Sequence, residues 1–184
     1  MKVPEFPISP AEGRALCIFA RAVIGAELAG TAPPALPENI PALDAPGSCF
    51  VTLQLDGELR GCIGSVEPFE TLGANLRRNA LNAAFGDPRF QPLSADEFPR
   101  TELELSIMGP PEPIPGPEHF VPGEHGIILS LFGRRALFLP QVATEQGWDR
   151  ETTLDFLARK AGFQSNAWKS KDAAFFVFKT EIFR

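Results

Sequence analysis

Apolar positions along the chain switch between two spacings, and the switches mark the elements. Ala15, Leu16, Phe19, Ala22, Val23 and Ala26 recur at helical spacing. Ahead of them, Ser9-Pro10-Ala11-Glu12 is a capping box with proline at the first helical position. A first helix is therefore expected from Pro10 until Gly30. Pro33, Pro34, Pro37, Pro41 and Pro46 then predict an extended connector on the domain surface. From Cys49 to Leu55 the period drops to two, with Val51, Leu53 and Leu55 on the core face. Asp56-Gly57 is the strongest short signal for a tight hairpin, so Leu59 to Ser65 is read as the returning strand.

A second helix begins at Glu70 or Thr71 and carries Leu72, Leu76, Ala80, Ala83 and Ala84 as its inward stripe. Gly86-Asp87-Pro88 closes it, read as a C′ glycine followed by proline. Phe90, Leu93 and Phe98 anchor the next loop. Glu102 to Met108 is the clearest amphipathic strand, with Leu103, Leu105 and Ile107 inward and Glu102, Glu104 and Ser106 outward. Five prolines between Gly109 and Pro117 mark the boundary expected between two lobes of one domain spanning 1–184. Beyond it, Ile127 to Leu131 and Arg135 to Leu139 form a hairpin around Phe132-Gly133. A short helix from Pro140 and a longer one capped by Asp149 and closed by Gly162 follow. Phe175 to Phe183 is read as one terminal strand with Phe176, Phe178 and Ile182 on one face.

The pattern predicts an α+β fold: a mixed, mainly antiparallel sheet with helices packed on it, in two unequal lobes. Hairpin-then-helix occurs twice, after Cys49 and after Ile127. The residues match poorly between the halves, which leaves an internal duplication open. The composition changes this picture little, since 44% hydrophobic and 22% charged residues in 184 suit a globular protein that folds without disulfides or a structural metal. A net charge of −6 does not invite a phosphate backbone, so no nucleic acid is expected. Three irregularly spaced cysteines argue against a disulfide framework. Met1-Lys2-Val3-Pro4 opens no apolar run, and no stretch approaches the length of a membrane span. A cytoplasmic location follows as the expectation.

The candidate chemistry sits on the returning strand. Simple alternation puts Arg60, Cys62 and Gly64 on one face and Leu59, Gly61, Ile63 and Ser65 on the other. Gly61 and Gly64 leave backbone open to close approach. A thiol attacks as thiolate, and a neighbouring cation favours that form; Arg60 is the cation the alternation offers Cys62. Glu104 could pair with Arg60 if their strands were neighbours. His119 and His125 lie in a Gly- and Pro-rich loop, each preceded by glutamate, at a spacing that fits no zinc site, so no metal is expected. The Gly61–Gly64 run is neither a phosphate loop nor a dinucleotide fingerprint. Two readings stay open: a thiol site with chemistry, or a strand Cys that only packs.

With those residues in view, the chain resembles the AMMECR-one domain family. The resemblance rests on Leu59-Arg60-Gly61-Cys62-Ile63-Gly64-Ser65, Asn79-Ala80, Ala83-Ala84-Phe85, Asp87-Pro88-Arg89-Phe90 and Pro92-Leu93. Further along it rests on His125-Gly126, Leu139-Pro140-Gln141-Val142-Ala143, Gly147-Trp148, Lys160-Ala161-Gly162 and Trp168-Lys169. It covers the chain from about Ser9 onward. It implies a compact α+β fold and adds Asp87, Arg89 and His125 as candidate ligand-binding residues beside Arg60, Gly61, Gly64 and Cys62. It supplies no established reaction. It implies likeness to component A of the AmmeMemoRadiSam system, whose other components are a Memo-like protein and a radical-SAM protein. The function expected is binding of a small anionic or carbonyl-bearing ligand at Arg60 to Gly64, with Cys62 as nucleophile. The alternative is a non-catalytic partner module for the Memo-like and radical-SAM proteins.

Overall fold

The computed structural model describes residues 8–65 and 67–184. The reading of Met1-Lys2-Val3-Pro4 falls outside the described residues. Helices and two antiparallel sheets make an α+β fold. The chain divides into two compact units, one reaching to Met108 and rejoined by Glu181–Arg184, the other running from Gly109 to Thr180. No helix among the described residues is long and apolar enough to cross a membrane.

The first unit begins with helix α1 (Pro10–Ala29). Ser9 and Glu12 cap it reciprocally, and Gly30 stops it in the left-handed region at φ 64°. Its buried stripe is Leu16, Cys17, Phe19, Ala20, Val23 and Ile24, while Ala22 is exposed. Leu16, Phe19 and Val23 thus lie inward as predicted, while the larger Ile24 is buried where the pattern put Ala22. Strands β1 (Ser48–Leu55), β2 (Glu58–Gly64), β3 (Thr101–Met108) and β8 (Thr180–Phe183) form a sheet in the order β2-β1-β3-β8. Helix α2 (Leu72–Leu81) is capped by the Thr71 hydroxyl and packs on β1 and α1. A π-turn over Asn82–Gly86 continues it. Gly86 does not take a left-handed φ, so the helix ends by widening its turn and not by the predicted glycine cap. Val51, Leu53, Leu76 and Leu105 are buried at the centre of this unit's core.

The second unit holds β4 (Glu112–Ile114), β5 (Gly126–Leu131), β6 (Arg134–Phe138) and β7 (Ala174–Phe178), in the order β4-β7-β5-β6. Helices α3 (Pro140–Glu145) and α4 (Arg150–Lys160) follow the β5–β6 hairpin, and Asp149 caps α4 through the Thr152 amide. Leu129, Leu154, Leu157 and Phe120 centre its core. The terminal strand predicted over Phe175–Phe183 is two strands broken at Lys179, each in a different sheet. Phe175 and Val177 turn to the core, and Ile182 is exposed. Pairing on both sides of β7 fixes that choice of face, which period alone left ambiguous.

Candidate functional site

Strand β2 is an edge strand whose backbone is closed by side chains. Asp56 and Gly57 both take positive φ, 52° and 85°, the backbone a tight antiparallel turn requires. The strand then returns beside β1, with Gly64, Ile63, Cys62 and Gly61 opposite Phe50, Val51, Thr52 and Leu53. One register step further Leu59 faces Gln54, so Arg60 is an extra residue in the ladder, a β-bulge. Simple alternation therefore fails at Arg60. Leu59 shares the face of Cys62 and Thr52, not that of Gly61. The bulge re-aims the one arginine of this strand.

Arg60 reaches the loop that follows the π-turn. Its Nε and Nη2 each donate to the Glu97 carboxylate at 3.0 Å, and Nη1 donates to the Gln91 carbonyl at 2.8 Å. Hydrogen bonds from Arg60, joined by the Ser94 amide, push the Glu97 pKa down to about 2. The arginine charge is met within the protein. Glu104, the partner suggested from sequence, lies on β3 with β1 between, and it pairs instead with Arg184.

The backbone of Cys62 is held from the open side. Its N–H donates to Asp87 Oδ2 at 2.9 Å, and Arg89 Nη2 donates to its carbonyl at 3.2 Å. Asp87 in turn accepts from Arg89 Nε at 2.9 Å and Nη2 at 2.7 Å. The ion pair thus replaces a neighbouring strand, giving one acceptor and one donor to an otherwise open edge. Its acid is 2% exposed and its base 54%. The Arg89 hydrogen bonds, helped by the Cys62 amide, outweigh desolvation and hold the Asp87 carboxyl well below the usual carboxylate range.

The Cys62 thiol is half-buried on the other side of these bonds, and Thr52 Oγ1 donates to its sulfur at 3.3 Å. The two remaining cysteines are buried; burial pushes Cys17 up to about 11 and Cys49 up to about 12. The cation beside the Cys62 backbone is Arg89, and its charge also interacts with Cys62. Both glycines of the run have packing reasons. A Cβ on Gly61 would stand 2.1 Å from the Ala83 carbonyl oxygen, and one on Gly64 would stand 2.2 Å from the Phe50 ring. The first lets the π-turn lie directly on the strand, and the second makes room for a cross-strand aromatic.

A buried polar cluster adjoins the end of the strand. Asn75 Oδ1 accepts from the Cys49 amide at 3.0 Å, and Asn79 Nδ2 donates to the Cys49 carbonyl at 2.9 Å. Asn75, Asn79 and Arg78 all donate to the Ser65 hydroxyl. These amides tie α2 to β1 where apolar packing alone would leave backbone unpaired. The sequence reading missed Thr52, Glu97 and Asn75. Ser94-x-x-Glu97 is itself a capping-box pattern, and that signal could have located the acid.

The predicted residues therefore divide. Arg60, Gly61, Cys62, Gly64, Asp87 and Arg89 come together around one edge of the first unit's sheet. His125 belongs to the second unit, where its Nδ1 accepts from the Val121 amide at 3.3 Å. His119 stands 3.5 Å from Glu118.

Comparison with known proteins agrees with this architecture. A protein of Methanothermobacter thermautotrophicus is 38% identical over 184 residues, covering 96% of each chain. One of Methanocaldococcus jannaschii is 38% identical over 181 residues, covering 94% of this chain and 89% of its own. The crystal structure of the uncharacterized protein PH0010 from Pyrococcus horikoshii superposes with a TM-score of 0.87 at 32% identity, covering 96% of this chain and 93% of that one. The AMMECR1 family model matches residues 17–183, and the chain belongs to that family.

Proposed function

We propose that the first unit binds a small ligand bearing a carbonyl or anionic group at the outer face of β2, against the Cys62 thiol and the Arg89 guanidinium. One observation carries the reading: a half-buried thiol sits on a strand whose own amide and carbonyl are clamped by Asp87 and Arg89. The clamp fixes where the sulfur stands. Thr52 Oγ1 donates to the sulfur and holds its orientation. Arg89, paired with Asp87 but half-exposed and hydrogen-bonded to the Cys62 carbonyl, brings a guanidinium to the place where the sequence reading put Arg60. Arg60 itself reaches the Gln91–Glu97 loop and is a positioning residue.

The chemistry open to such a site is addition. The sulfur lone pair forms a C–S bond to the carbonyl carbon, the C=O π pair moves to oxygen, and the thiol proton ends on that oxygen. Arg89 would stabilise the negative oxygen in passing. No oxidant or cofactor is needed for this step. Iodoacetamide tests the premise: Cys62 is expected to alkylate at least about tenfold faster than Cys17 and Cys49 in the folded protein. Arg89→Gln is expected to slow Cys62 alone. Equal rates for the three thiols would overturn the reading.

A second reading makes this unit a partner module for Memo-like and radical-SAM proteins. It is favoured by Phe69, which is 87% exposed, and by Leu59, also exposed on the face of Cys62. Purified Memo-like and radical-SAM proteins give its test. Under this reading Phe69→Ser abolishes their co-elution with the chain, while Cys62→Ala leaves it intact. Loss of co-elution only in the Cys62 variant would remove it.

A further inference from the structure

A groove of about 430 Å³ lies in the same unit between α1, Gln54 of β1 and the Thr101–Glu104 segment of β3. It is large enough for a small organic molecule, by the common range of ~300–1,000 Å³ for ligand pockets. Its walls are largely apolar. Ile18 is 70% exposed on the α1 side, an unusual place for a large aliphatic residue, and half-buried Leu103 faces it from β3.

The charges at the rim do not cancel. Three arginines, Arg14, Arg21 and Arg184, stand against two glutamates, Glu102 and Glu104. Arg184 pairs with Glu104. Arg21 gives its two terminal nitrogens to the carbonyls of Thr101 and Phe98 and lies 4.4 Å over the Phe98 ring. Those partners carry no charge, so its positive charge is left uncancelled. Arg14 has no acidic partner among the described residues and projects from the exposed side of α1. Arg14 and Arg21 thus bring to the groove two guanidinium groups with no ion-pair partner among the described residues, on a chain whose net charge is −6. Uncancelled guanidinium beside exposed aliphatic surface matches one ligand chemistry: an apolar body ending in a single carboxylate.

We infer that this groove is a second ligand site, which takes an amphipathic monocarboxylate with its chain against Ile18 and Leu103 and its carboxylate toward Arg14 and Arg21. The site is separate from Cys62. Neither Cys62 nor Thr52, Asp87 or Arg89 lines the groove. The inference stands whether or not the thiol binds anything.

Decanoate tests it by isothermal titration, with decylammonium as the apolar chain of opposite charge. Saturable one-site binding of decanoate is expected, at least tenfold tighter than binding of decylammonium, and weaker at higher salt. Arg14→Glu changes an exposed helix position with no structural partner and is expected to weaken decanoate at least fivefold. Ile18→Asn removes apolar wall without adding charge and is expected to weaken it too. Cys62→Ala is expected to leave the affinity unchanged. Absent saturable binding, equal affinity for the two chains, or an unchanged affinity in Arg14→Glu would each overturn the assignment. So would loss of decanoate binding in Cys62→Ala, which would place the ligand at the β2 edge.

Discussion

The hairpins β1–β2 and β5–β6 reverse the chain with the same backbone, Asp56 and Gly57 at φ 52° and 85° in one, Phe132 and Gly133 at 46° and 76° in the other. Each ends in an edge strand, and each edge is closed by a side chain from a later segment. The closures differ in kind. On β6 the Lys160 ammonium donates to the Leu137 carbonyl at 2.9 Å. On β2 a buried aspartate and a half-exposed arginine take both the amide and the carbonyl of Cys62, and a second ion pair from Arg60 to Glu97 fastens the loop beside them. One cation suffices to blunt an edge. Two ion pairs fix the strand and the loop beside a single half-buried thiol, which is the difference that singles out β2.

The sharpest way to break the comparison is at the glycines. Gly61→Ala would force a methyl to within 2.1 Å of the Ala83 carbonyl, a backbone atom that cannot rotate away. A loss of roughly 3 kcal/mol or more is expected, by the cost of overpacking against fixed backbone. At Gly133, whose Cβ would meet nothing within 4 Å, only the positive φ resists alanine. The cost there is about 1 kcal/mol. Urea denaturation of the two variants measures both, and equal losses would mean that the close contact at Gly61 relaxes.

Next in size are the closures themselves. Asp87→Ala leaves the Cys62 amide unpaired and removes the acid from Arg89, with an expected cost of about 2–4 kcal/mol. Lys160→Met keeps the apolar stem but removes the donor to the Leu137 carbonyl and the ammonium over the Phe138 ring, with an expected cost of about 1 kcal/mol. Hydrogen exchange at β2 and β6 reads the two edges separately. If the two variants lose protection equally, the double ion pair at β2 does nothing a single lysine does not.

How far all this could be read in advance follows from the same contrast. Both turns were legible, because Asp-Gly and Phe-Gly sit between alternating runs. The α1 cap was legible to the residue, because Ser9 and Glu12 act across three positions. The bulge at Arg60 was not, since an inserted residue leaves period two intact on either side and shows only when the partner strand is known. That one residue moved Arg60 from Cys62 to Glu97. Nor could spacing show that Gly61 and Gly64 serve packing against Ala83 and Phe50, residues 22 and 14 positions away along the chain. Asp87 and Arg89 entered through the family resemblance, and their role as a surrogate strand needed the sheet order.

Acid separates the two edges with a smaller effect. The Asp87 and Glu97 carboxyls are held below their unfolded values. Their contribution to stability is therefore full above the unfolded carboxylate pKa of about 4 and is lost as pH falls from there through about 2. Solvent at these half-open pairs holds the combined loss to about 1–2 kcal/mol. At the β6 edge the Lys160 ammonium donates to the Leu137 carbonyl. Both tryptophans, Trp148 and Trp168, lie in the second unit. Tryptophan fluorescence thus follows the second unit, while exchange of the Cys62 amide follows the first. Amide protection at Cys62 is expected to fall before the fluorescence changes, and simultaneous loss would tie the two edges to one transition.

The smallest effect probes the thiol alone. Thr52→Val replaces the hydroxyl that donates to Cys62 Sγ with a methyl of similar shape, on a strand that favours valine. The fold is expected to hold, with a stability change within about 1 kcal/mol. The sulfur loses the hydroxyl that holds it while Arg89 and the backbone clamp remain, so its alkylation rate is expected to fall by about two- to threefold. An unchanged rate at Cys62, read by mass spectrometry of the alkylated peptides, would mean that the hydroxyl has no part in presenting the sulfur.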